Sequence, residues 1–135
     1  MARRVLLVDD DEGFLLAAGR LLEAAGYEVG RASSATDART QLDAQAPDLI
    51  LLDVIMPGKD GFTFADELAA DAKLGEVPIV LVTAVAENPG QMMTAFAKDM
   101  GMPASSILPK SAAHEKLVET VAAVLEARES DGDME

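Results

Sequence analysis

The chain has 135 residues, 11 of them Lys or Arg against 24 Asp or Glu, for a net charge of −13, enough for one domain with a core of its own. It contains no cysteine and one histidine, His114, which excludes a disulfide scaffold, a thiolate-bound zinc or iron–sulfur centre, a thiol nucleophile and a multi-histidine metal site. A chain this acidic is a poor direct binder of nucleic acid or of an anionic membrane.

The opening, MARRVLLVDDD, has a short apolar run that three aspartates end before a signal-peptide core can form. No stretch of about 18 apolar residues follows, so the sequence reads as a soluble cytoplasmic protein. Residues 5–8 form the first apolar run, closed by Asp9. A helix is predicted over 14–25, with Leu15, Ala18, Leu22 and Ala25 at helical spacing and Gly26 as its stop. A weaker strand follows at 28–32, then an Ala-rich helix over 35–45. Residues 49–52 are the second full apolar run, closed by Asp53. A helix over 62–73 carries Phe64, Leu68 and Ala72 on one side, with Asp60 as candidate N-cap. The third run, 79–82, ends at Thr83, and Asn88–Pro89 opens a helix to about Met100. A fourth, shorter run at Ile107 and Leu108 precedes Lys110, and a helix over 112–128 carries Leu117, Val121, Val124 and Leu125. Residues 129–135, with four acids and no base, read as a frayed tail behind a domain of residues 1–128.

Unbroken apolar runs of this length suit strands buried on both faces. Five strands alternating with five helices imply a doubly wound α/β sheet, whose functional crevice lies beyond the carboxyl ends of the strands. Asp9, Asp10, Asp53, Thr83 and Lys110 all fall there. Carboxylates from separate strands repel one another at one edge unless cations offset them. Lys110 supplies one positive charge, and a hard divalent ion such as magnesium suits the rest. A carboxylate, a lysine, a hydroxyl and magnesium form a layout for phosphoryl transfer, with an aspartate as nucleophile and the Thr83 hydroxyl bonding a phosphoryl oxygen. Asp11 and Glu12 read mainly as the acidic start of the first helix. His114 reads as a solvated residue of the last helix, and the methionines clustered at 92–102 as adaptable core filler.

Four segments, VLLVDDDEGF (5–14), DLILLDVIMPGKDGF (48–62), PIVLVTA (78–84) and ILPK (107–110), resemble the receiver domain of two-component response regulators over about residues 4–126. The resemblance implies a flavodoxin-like (βα)5 fold with a five-stranded parallel sheet in the order 2-1-3-4-5. It implies that Asp53 accepts a phosphoryl group from a phosphohistidine on a sensor histidine kinase or phosphotransfer protein. Asp10, Asp53 and the Ile55 carbonyl then ligate Mg2+, with Asp9 acting through metal-bound water. Thr83 and Lys110 become the hydroxyl and lysine that meet the phosphoryl group. Signalling follows by a conformational change and binding of a downstream protein, with about residues 88–128 as the contact face.

The chain departs from the family pattern at three places. Ser111 stands where proline often follows the lysine, so that the preceding peptide is trans, or cis at a cost of about 3 kcal/mol. Ile107 occupies the switch position usually held by Tyr or Phe. The stretch 88–106 is less typical. Ile55 and Val85, two residues beyond Asp53 and Thr83, are apolar and cannot hold attacking water, which predicts slow autodephosphorylation. Two other readings stand beside this one. Asp9-x-Asp11 after an apolar strand resembles the opening of haloacid-dehalogenase-like phosphohydrolases, although Gly13 departs from their pattern. A receiver-like adaptor that takes no phosphate is the other.

Overall fold

The computed structural model describes residues 3–53, 61–72, 74–83, 107–109 and 113–133. Strands β1 (Arg4–Val8), β2 (Glu28–Ala32), β3 (Leu49–Asp53), β4 (Ile79–Thr83) and β5 (Ile107–Pro109) form one parallel sheet in the order β2-β1-β3-β4-β5. This is the flavodoxin-like order expected. Helices α1 (Glu12–Ala24), α2 (Ala35–Ala44), α3 (Gly61–Ala70) and α4 (Ala113–Asp133) are described around it. The predicted helix from Asn88 to Met100 lies outside the described residues, as do Lys110, Ser111, Ile55, Val85 and the Asp60 cap.

The continuous apolar runs are explained by burial on both faces. Val5, Leu7, Leu49, Leu51, Val80 and Val82 point to one face, under Leu15, Ala18 and Leu22 of α1 and Leu117, Val121 and Leu125 of α4. Leu6, Val8, Ile50, Leu52 and Leu81 point to the other, under Ala38 and Leu42 of α2 and Phe64, Ala65 and Leu68 of α3. At about 1.5–3 kcal/mol for each large apolar side chain removed from water, the two layers dominate the stabilisation.

Local chemistry sets the helix ends. Asp11 is the N-cap of α1 and accepts from the Phe14 amide at 3.1 Å. At the other end Gly26 has φ +100. The Gly26 amide bonds the Glu23 carbonyl and the Tyr27 amide that of Leu22, both at 3.0 Å. This paired pattern stops a helix where glycine can turn left-handed. Ser34 caps α2 through the Asp37 amide at 3.0 Å.

Two boundaries differ from the sequence reading by three residues or more. α3 ends at Ala70 rather than 73, because Asp71 Oδ1 takes the Leu74 amide at 3.1 Å and draws the chain into a turn. α4 stays helical to Asp133, past the expected end at Arg128. Its apolar spacing marks only the packed part, whereas propagation of a formed helix needs backbone bonds alone.

Candidate functional site

The β1–β3 register sets the site. Val5 pairs with Leu49, Leu7 with Leu51 and Val8 with Leu52. One further step along it puts Asp9 opposite Asp53. Both are buried, Asp9 at 1% exposure and Asp53 at 4%, and Asp10 beside them is exposed. Carboxylate oxygens of Asp9, Asp10 and Asp53 all lie within 4.8 Å of one another.

Backbone bonds build the loop that carries the first two. The Asp9 amide donates to the Ala32 carbonyl at the end of β2, at 3.1 Å. Asp9 Oδ1 accepts from the Asp11 amide at 2.9 Å, which turns the chain into α1. The Asp11 carbonyl then receives the Leu15 amide at 3.0 Å, the first bond of the helix.

Two carboxylates at this separation repel by about 3 kcal/mol at an effective dielectric of about 20. Such a pair at the mouth of a sheet favours a divalent cation. The donor set fits magnesium: hard carboxylate oxygens, without a thiolate or imidazole among them.

The structure thus brings Asp9, Asp10 and Asp53 together. Thr83 closes β4 one residue past Val82, the register partner of Asp53, so its backbone lies beside the end of β3. Ile107 pairs with Leu81 at the start of β5. Lys110 and Ile55 fall outside the described residues. The Ala32 carbonyl that holds Asp9 escaped sequence reasoning, since every residue carries a carbonyl and only the fold selects this one. No described helix is long and apolar enough to cross a membrane.

Comparison with known proteins follows the same outline. The model of the response regulator receiver domain family matches residues 5–122. PilH of Pseudomonas aeruginosa is 30% identical over 122 residues, covering 90% of this chain and 97% of PilH. The response regulator PleD of Caulobacter vibrioides is 41% identical over 85 residues, 63% of this chain but only 19% of PleD. The chain therefore spans a small part of PleD and nearly all of PilH. A CheY-like receiver domain protein from Methanospirillum hungatei superimposes with a TM-score of 0.83 over 97% of this chain and 99% of that one, at 24% identity, a likeness of fold.

Proposed function

Because the chain belongs to the response regulator receiver domain family, we propose that Asp53 is its phosphoacceptor and that Mg2+ is required for the transfer. A carboxylate oxygen of Asp53 attacks the phosphorus of a phosphohistidine on a sensor histidine kinase or phosphotransfer protein. The P–N bond breaks, its electron pair stays on the imidazole, and an aspartyl phosphate forms. Asp10, Asp53 and the Ile55 carbonyl would hold the ion, with Asp9 acting through water. When bound, the ion offsets the carboxylates and the charge on the transferring group. Thr83 supplies a hydroxyl to a phosphoryl oxygen, and Lys110 an ammonium first to Asp53 and then to the phosphoryl group.

The observation that carries this reading is the clustering of the three carboxylates at the ends of β1 and β3. Asp9 suits the nucleophile of a phosphohydrolase poorly, since its Oδ1 already receives the Asp11 amide and shapes the turn into α1. The same reading carries slow loss of phosphate, from the apolar Ile55 and Val85. It also carries a cytoplasmic location and a protein target bound near residues 88–128.

Beryllofluoride, which stands in for a phosphoryl group, tests the site. With Mg2+ it is expected to perturb the amides of Asp10, Asp53 and Thr83 in NMR spectra, and the Asp53→Asn variant is expected to give no change. Unperturbed spectra of the unsubstituted protein would leave the phosphate-independent adaptor as the better account.

A further inference from the structure

Arg31 lies on β2, outside the acid cluster, yet it grips the helix that leads out of that cluster. Its Nε donates to the Leu15 carbonyl at 3.2 Å, and its Nη2 meets Glu23 Oε1 at 3.1 Å. A side chain on the residue one turn further on would crowd that approach. Here Gly19, the residue one turn further on, leaves the space. A Cβ at Gly19 would overlap Nη2, Cζ and Nε of Arg31. Glycine in mid-helix otherwise costs stability, and Gly19 is buried. From the far side, Gln41 Nε2 of α2 donates to the Arg31 carbonyl at 2.6 Å, fixing the strand backbone that presents the guanidinium.

Adjacent residues of β2 therefore anchor both ends of the acid loop. The Ala32 carbonyl holds the Asp9 amide where the chain leaves β1. The Arg31 guanidinium holds the carbonyl of Leu15, whose amide bonds the Asp11 carbonyl where the chain enters α1. Asp10 sits between the two anchors. We infer that Arg31, seated against Gly19, is a positioning residue that sets the Asp9–Asp11 loop in the geometry required for the divalent cation. This rests on the reading of the acid cluster as a magnesium site. It predicts that loosening the grip weakens cation binding without altering any carboxylate.

Two variants loosen it by different routes. Arg31→Met removes the guanidinium and keeps an apolar stem. Gly19→Ala leaves Arg31 intact and evicts its flexible end, while raising helix propensity. Two readouts are taken. Amide exchange by NMR in metal-free protein compares Asp11, Phe14 and Leu15 with the β3 amides. Calorimetric titration with Mg2+ gives the dissociation constant.

Both variants are expected to speed loop exchange about fivefold relative to β3, whereas general destabilisation speeds both sets alike. Both are expected to weaken Mg2+ about fivefold, short of the roughly 10–100-fold typical for loss of a direct outer-shell partner. Glu23→Gln, which keeps the Leu15 contact, is expected to change binding by less than about twofold. Unchanged affinity in both variants overturns the inference. So does tighter binding in Arg31→Met alone, the sign expected if Arg31 acts only as a repelling charge. If the unsubstituted protein takes up no Mg2+, the reading of the cluster fails, and the exchange ratio still decides whether Arg31 holds the loop.

Discussion

Asp10 is the member of the acid cluster whose charge does least for the metal-free fold. Asp9 shapes the turn through its bond to the Asp11 amide, and Asp53 closes a buried strand. Asp10 is exposed and within 4.8 Å of both. Removing its charge relieves repulsion and breaks no described hydrogen bond. Asp10→Asn is therefore expected to stabilise the protein in EDTA by up to about 1 kcal/mol, a rise in Tm of about 3–5 °C. Calorimetric melting checks this, and a lower Tm would show that repulsion does not govern the site. The same residues mark what was legible at this scale. Carboxylates at the ends of apolar runs stand out in any reading, and so does Asp11 as a cap. The grip of Arg31 on Leu15 does not, because an arginine in a strand gives no sign of which distant carbonyl it meets.

At the scale of elements, helix ends were legible wherever one residue does the work. Gly26 has φ +100 and carries the two bonds that close α1. A Cβ there meets nothing within 4 Å, so the cost of a side chain is backbone strain alone. Gly26→Ala is expected to lower stability by about 1–2 kcal/mol, measured by urea denaturation, and an unchanged midpoint would contradict the left-handed cap. α3 ends before its apolar spacing does because Asp71 competes through its side chain for the Leu74 amide, and Leu68 and Ala72 alone do not reveal that competition. α4 continues beyond its apolar spacing for the opposite reason, since a helix can run past its packed face.

The fold of the whole molecule was legible as a class from alternation alone, because runs such as Leu49–Asp53 have apolar residues for both faces. Strand order was not in the local pattern and came from the family resemblance. Nor was the pairing of Val8 with Leu52, the long-range choice that sets Asp9 beside Asp53. On the proposed function, a cation bound to the folded state only would relieve the repulsion that this choice creates. Mg2+ at ten times its dissociation constant is expected to stabilise the fold by about 1.4 kcal/mol, or about 5 °C in Tm. Calcium-free thermal melts with and without the ion check this, and indifference to Mg2+ would separate the fold from the proposed chemistry.

The most direct measurement is the identity of the residue that takes phosphate. The protein incubated with acetyl phosphate and Mg2+ can be trapped with borohydride, digested and sequenced by mass spectrometry. The label is expected on Asp53 alone, and Asp53→Asn is expected to take none. Label on Asp9, or none on any aspartate, would contradict the account.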